Sequence, residues 1–253
     1  MPQSFVDLAR TPGIEIKRFD LVLFPIGSLE RHGNHLPLGT DTIIAEAFAK
    51  SIAKELGIKG YKVAVLPPLW YGYTWSLRYH DGTASVDPHT LSKFIEEIIV
   101  SLSNPRLSRT LIINGHGGNK EPIAVAIKEA LTRLGPGVRI GAISWWDFLD
   151  QEVLERVLPG SVPSHACEVE TSLMLYLCED CVTSLEDVEK VEVPPRRLLR
   201  SLEDTRKLFS KGYLGEPKKA SKEAGKIIFE SVTRNIVNKL LSELKEEEEH
   251  GIE

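Results

Sequence analysis

Two carboxylates and two imidazoles fall within a run of twelve residues, Glu30-Arg31-His32-Gly33-Asn34-His35-Leu36-Pro37-Leu38-Gly39-Thr40-Asp41. Carboxylate oxygen and imidazole nitrogen are the donors that hold Zn, Mn or Fe(II) where no thiolate is present. Glu30 and His32 are two apart, so an extended backbone points both to the same side. That spacing makes Glu30, His32 and Asp41 candidate metal ligands. Two plainer roles compete: His35 hydrogen-bonding loop backbone, and Asp41 capping the helix that follows.

Further along, Asn114-Gly115-His116-Gly117-Gly118-Asn119 sets a histidine in a glycine-rich turn. Ser164-His165-Ala166-Cys167-Glu168-Val169-Glu170-Thr171-Ser172 brings another histidine and two glutamates ahead of an apolar helix at 173–177. The irregular stretch 67–86 carries Trp70, Tyr71, Tyr73, Trp75 and Tyr79. So many aromatics on a loop suit a pocket wall or an oligomer contact, with packing on the loop's own domain as the competing role.

The elements that must position these groups alternate. An apolar run at 21–26 reads as a strand ending in the first histidine loop, and Ile44, Phe48, Ile52 and Leu56 follow at helical spacing over 41–56. Strands are expected at 61–66, 110–113 and 138–143. Helices are expected at 87–102, where Asp87-Pro88 supplies a cap and an N1 proline, at 120–134, and from Lys219 onward. Residues 181–219 read as a surface excursion, and Glu246–Glu249 as a solvated, frayed acidic end. Strand and helix in alternation mean a mainly parallel sheet with helices on both faces, a three-layer α/β/α domain over 1–253. The polar loops each follow a strand, so they gather at the carboxyl edge, where open α/β folds place their sites.

Composition narrows the function. The chain has 253 residues, 42% of them hydrophobic and 26% charged, with a formal net charge of −5. That balance gives no footprint for nucleic acid or an anionic membrane surface. No apolar run approaches the ~18 residues of a membrane span. The start, Met1-Pro2-Gln3-Ser4, lacks a basic segment followed by an apolar one, so a cytoplasmic location is expected. Cys178 and Cys181 are spaced like a redox or zinc pair, but a structural zinc needs four ligands and a redox pair favours a helix start. Buried thiols or an incidental disulfide are expected instead.

With Pro25-Ile26-Gly27-Ser28-Leu29-Glu30 running on through Asp41, and Asn114 through Asn119, the chain resembles the creatininase (creatinine amidohydrolase) family. Gly82-Thr83-Ala84-Ser85, His165-Ala166 through Ser172, and Gly215-Glu216-Pro217 fit in the same order, so the resemblance covers roughly 20–240. It implies an amidohydrolase with two divalent ions (Zn, Mn or Fe(II)), one held by Glu30, Asp41 and His116, the other by His32 and a bridging Asp41. Creatininase completes the second site with a glutamate two residues after the second-loop histidine, where this chain has Gly118. Glu170 is the substitute carboxylate, with Glu168 its competitor. His165 matches the substrate-contacting histidine and is a candidate proton donor, and Trp146 matches an aromatic at the pocket mouth. The N–H groups of Gly117 and Gly118 suit an oxyanion, or the glycines serve a tight turn.

Where creatininase grips creatinine with a tryptophan and an aspartate, Ser161 and Val162 stand, which argues against creatinine as substrate. The resemblance therefore implies hydrolysis of a non-peptide C–N bond, in a cyclic amide or formamide of a small molecule, by a metal-activated hydroxide. A formylamino-pyrimidine nucleotide deformylase, a peptide-trimming relative and a metal-binding protein without catalysis are the alternatives. It also implies a homo-oligomer, possibly a hexamer.

Overall fold

A strand that is apolar at every position has to be covered on both faces, and β2 (Leu21–Ile26) is buried along its whole length. In the computed structural model, which describes residues 5–13, 18–103, 107–194, 198–199 and 201–249, β2 lies at the centre of a five-stranded parallel sheet. Its companions are β1 (Val6–Asp7), β3 (Val63–Val65), β4 (Arg109–Asn114) and β5 (Arg139–Ser144), in the order β1-β3-β2-β4-β5.

Side chains of β2 alternate between two cores, as a pleated strand requires. Leu21 and Leu23 pack with Ile44, Phe48 and Ile52 of α1 (Thr40–Ile58), Met174 of α5 (Glu168–Leu177) and Ile228 and Val232 of α7 (Lys222–Glu249). Val22, Phe24 and Ile26 pack with Leu91, Ile95 and Ile99 of α2 (Pro88–Leu102) and Ile123 and Ala126 of α3 (Lys120–Arg133). The result is the three-layer α/β/α arrangement expected from the alternation. Two short helices, α4 (Gln151–Val157) and α6 (Leu202–Leu208), complete the described α-helices, with 3₁₀ turns between elements. No helix among the described residues is long and apolar enough to cross a membrane.

Several boundaries differ from the sequence expectation. Strand β1 pairs with β3 through only Val6 and Asp7, too short to show a period. Helix α5 begins at Glu168 rather than at the apolar run, so Glu168 and Glu170 occupy its first turn. Asp41 lies inside α1, whose N-cap is Gly39, so it does not cap the helix. α7 keeps its helical backbone through Glu249. Cys178 and Cys181 form a disulfide, and Cys167 is a buried free thiol. Met1–Ser4, Pro195 and the last four residues lie outside the described residues.

The sheet order sets where a ligand can enter. β3 follows β2 on one side and β4 lies on the other, so a crevice opens beyond the carboxyl ends of β2 and β4. Residues 30–41 leave β2 into that crevice and residues 115–119 leave β4 into it.

Candidate active site

Asp41 is the hub. Its Oδ1 lies 3.0 Å from His32 Nε2, and its Oδ2 lies 3.0 Å from His116 Nδ1. Ser28 Oγ donates to Oδ2 at 2.8 Å, fixing the carboxylate plane. Glu30 Oε1 stands 3.2 Å from His116 Nδ1 and 3.4 Å from His165 Nδ1. Glu170 Oε2 stands 3.9 Å from His32 Nε2 and accepts the Ala166 N–H at 2.6 Å. Three groups of possible ligand atoms result: Glu30 with Asp41 and His116, His32 with Asp41 and Glu170, and Glu30 with His32 and His165. The structure thus brings together all the carboxylates and imidazoles proposed as ligands, with Asp41 common to two groups. Glu168 is elsewhere; its Oε2 accepts the Glu216 N–H at 2.7 Å.

Each imidazole is anchored from behind by backbone. His32 Nδ1 faces the carbonyl of Glu30 at 3.0 Å, His116 Nε2 that of Tyr73 at 3.0 Å, and His165 Nε2 that of Arg31 at 2.8 Å. A ring N–H donated to a carbonyl leaves the other nitrogen as a bare lone pair. In His32 and His116 that nitrogen looks straight at carboxylate oxygens. Lone pair against lone pair is repulsive, so a proton or a metal cation has to stand between.

The titration behaviour states the same need. Burial opposes protonation of His32, yet the Asp41 carboxylate beside it prevails and lifts its pKa to about 9. Burial also opposes protonation of His116, and Glu30 with Asp41 raises it well above the ordinary histidine value. Asp41 is held well below the usual carboxylate range, burial being outweighed by His32 and His116. Glu30 is lowered too, burial being outweighed by His116. Burial pushes Glu170 up to about 7, against the pull of His32. His165 goes the other way, down to about 4, through burial and then the charge of His32. Both oxygens of Glu30, fully buried, have no hydrogen-bond partner. Orphaned carboxylate oxygens beside aimed imidazole lone pairs fit divalent cations.

Gly118 has a steric reason to be glycine: a Cβ there would lie 2.0 Å from the Tyr73 carbonyl oxygen and 2.6 Å from His116 Nε2. The backbone that anchors His116 occupies the space a side chain at 118 would need. His35, fully buried, faces the Ala166 carbonyl and Thr171 Oγ1, each at 3.1 Å from Nε2. It ties the first loop to the start of α5 rather than to its own loop.

Over these groups lies a cavity of about 380 Å³, bordered by Gly117, Gly118, Trp146 and His165. Sequence reasoning missed Leu77, Lys120, Trp145, Ser164 and Phe209, which also line it. The exposed Trp70, Tyr71 and Tyr79 do not line it; the aromatic loop sends Ser76 and Leu77 instead. Phe209 comes from the 181–219 segment, its ring edge-on to His165 at 5.9 Å between centroids. That segment is stitched to the site by Gly33 N–H to the Gly212 carbonyl at 2.8 Å and Leu214 N–H to the His165 carbonyl at 2.9 Å. It is one side of the cavity as well as surface.

Known proteins resemble this chain along most of its length. A creatinine amidohydrolase from Pseudomonas putida is 30% identical over 241 residues, 88% of this chain and 89% of that protein. A mycofactocin precursor peptide peptidase from Mycolicibacterium smegmatis is 32% identical over 226 residues, 87% of this chain and 84% of its own. At 24% identity over 220 residues, 85% of each chain, stands a formylamino-ribosylaminopyrimidinone monophosphate deformylase from Methanosphaera stadtmanae. A solved structure described as creatininase with Mn superposes with a TM-score of 0.80 at 27% identity, covering 94% of this chain and 98% of that one. The family model described as creatinine amidohydrolase matches residues 10–240, and the chain belongs to the creatininase family.

Proposed function

We propose that this chain is a metal-dependent amidohydrolase with two divalent ions (Zn, Mn or Fe(II)), acting on a non-peptide C–N bond in a small cyclic amide or formamide. The observation that carries it is the unmatched cluster: buried Glu30 oxygens without partners, and imidazole nitrogens of His32 and His116 aimed at carboxylates. Glu30, Asp41 and His116 would hold one ion, and His32, Asp41 and Glu170 the other. The chemistry such ions supply is activation of water near neutral pH and polarisation of a carbonyl.

The chain's own groups supply the rest. With its Nε2–H held by the Arg31 carbonyl, His165 offers Nδ1 as a proton acceptor toward Glu30. It can take a proton from the attacking water and return it to the leaving nitrogen, which cannot depart as an anion. The N–H groups of Gly117 and Gly118, at the turn entering α3, border the space where a developing oxyanion would sit. Trp146 and Phe209 give the cavity aromatic walls, and its volume of about 380 Å³ suits a compact ring or formamide better than an extended peptide.

The test is metal analysis beside a substrate panel of hydantoins, N-formyl amines and N-acyl dipeptides. Complete chelation should abolish hydrolysis and Mn or Zn should restore it, with rings or formamides turned over faster than dipeptides. Activity that survives complete chelation, or a marked preference for the dipeptides, overturns this reading.

A further inference from the structure

Among the described residues, Ala166 is the one non-glycine with a positive φ, +49°. An L-residue in that left-handed region brings its Cβ close to the following carbonyl oxygen, so the conformation persists only where neighbours impose it. Ala166, fully buried, links His165 to the start of α5, and both peptide planes beside its Cα are pinned. On the first plane the His165 carbonyl accepts the Leu214 N–H at 2.9 Å, and the Ala166 N–H donates to Glu170 Oε2 at 2.6 Å. On the second, the Ala166 carbonyl faces His35 Nε2 at 3.1 Å.

These surroundings decide which nitrogen of His35 carries its proton. A carbonyl can only accept, and His35 Nδ1 is buried without a partner. The proton is therefore on Nε2 and is donated to Ala166, with Thr171 Oγ1 also 3.1 Å away. His35 belongs to none of the three groups of possible ligand atoms. Its histidine neighbour across the gap mirrors it: His165 Nε2 meets the Arg31 carbonyl at 2.8 Å, so the two segments exchange one imidazole-to-carbonyl bond each. Without the His35 bond, Ala166 is free to relax out of the left-handed region, which changes the angle between its N–H and α5. That N–H holds the carboxylate of Glu170, whose Oε2 stands 3.9 Å from His32 Nε2.

We propose that His35 is a positioning residue: its Nε2–H holds Ala166 in the left-handed turn, and the turn aims Glu170 at the space beside His32 and Asp41. The consequence for an ion rests on the two-ion reading above; the hold on the turn does not.

Crystal structures of the chelated variants and Mn titrations by calorimetry test it. His35→Met keeps the bulk and loses the donor. Ala166 should then leave the left-handed region, and the ion that depends on Glu170 should bind about 10–100-fold more weakly, the usual loss when support for a ligand is removed. His35→Gln, whose amide N–H can reach the same carbonyl, should restore both. A role in ring packing, edge-on to Tyr213 at 5.5 Å between centroids, would not be restored by Gln. In the His35→Met background, Ala166→Gly should recover most of the affinity, because glycine takes a positive φ readily. With Glu170 already replaced by Gln, His35→Met should leave the affinity of the remaining ion unchanged. His35→Asn, too short to reach Ala166, serves where the Met variant does not fold. Ala166 still left-handed in a folded Met or Asn variant, unchanged affinity for the second ion of a two-ion parent, loss that Gln does not restore, or failure of both variants to fold overturns the proposal. Fewer than two ions in the parent, with Ala166 shifted in the variants, overturns the two-ion reading and leaves the hold of His35 on the turn standing.

Discussion

Replacing Glu170 by Gln changes one negative charge and almost no shape, at the carboxylate proposed to stand in for the one that Gly118 lacks. His32, Asp41 and Glu170 form one of the ligand groups, and Asp41 is shared with Glu30 and His116. Losing Glu170 leaves the first group two donors, one of them shared, while the other group keeps all of its own. Substituting a residue that merely supports a ligand costs about 10–100-fold in metal affinity, so loss of a ligand itself should cost at least about 100-fold. That is about 2.7 kcal/mol. The expected result is one tightly held ion per chain instead of two, with most hydrolysis gone.

The same substitution should have the opposite effect on the metal-free fold. Burial holds Glu170 up to about 7. Between its unfolded value and about 7 the folded chain binds the extra proton, so stability falls as pH rises through that window. Gln removes that loss, and its amide oxygen can still accept the Ala166 N–H now bonded at 2.6 Å. Any remaining cost should be within about 1 kcal/mol. Metal content of the loaded protein and thermal melts of the chelated protein at pH 8 read both arms. Two ions at full occupancy in the Gln variant would refute the ligand assignment. A chelated variant melting well below the parent would show that Glu170 serves the start of α5 instead.

Divalent-ion affinity of the group containing Glu170 should weaken as pH falls below about 7, where Glu170 takes a proton, and binding should release protons from His32, raised to about 9; Mn titrations across that range check the sign. Gly118→Ala should cost about 1–3 kcal/mol, because its methyl would lie 2.0 Å from the Tyr73 carbonyl. It should also weaken metal binding through the displaced His116, as melts and metal analysis would show. The exposed Trp70, Tyr71, Tyr79 and Phe94 suit contacts between copies of the chain. Light scattering should therefore give a multiple of 28.2 kDa; a monomer at micromolar concentration rules this out.

Local signals in the sequence were read correctly where they were strong. Asp87 caps α2 through His89 and Thr90 N–H groups at 3.0 and 3.2 Å, as Asp-Pro at a helix start predicts. The apolar run of β2, its glycine-punctuated loop and the periodic α1 were equally plain. The start of α5 was not. Its first turn is Glu168-Val169-Glu170-Thr171, three of the four polar and all buried, with Glu168 bonded to the 215–216 turn, so hydrophobic periodicity fails there. Phe209 left no signal at all. Nothing near it in the chain is periodic, and its place beside His165 depends on backbone bonds spanning from Gly33 to Gly212. The carbonyl anchors of Tyr73 and Arg31 are invisible for a different reason: a backbone oxygen has no sequence identity.

What sets Asp41 between two imidazoles, rather than leaving it one more acid on a helix, is how close three backbones approach it. A Cβ on Gly27 would lie 2.3 Å from Thr42 N, and one on Gly115 would lie 2.2 Å from the Asp41 carbonyl. Both glycines directly follow strands, β2 and β4, that flank the crevice. Their lack of side chains lets the first turn of α1 drop between the strand ends, so each oxygen of one carboxylate meets a histidine from a different loop. A larger residue at either position would lift the helix by about the width of a methyl group. Shifts near 1 Å are enough to cost catalytic geometry about a hundredfold. Gly27 and Gly115 therefore belong to the candidate site as much as Asp41, His32 and His116 do, and their spacing from the two histidines is part of the proposed metal motif.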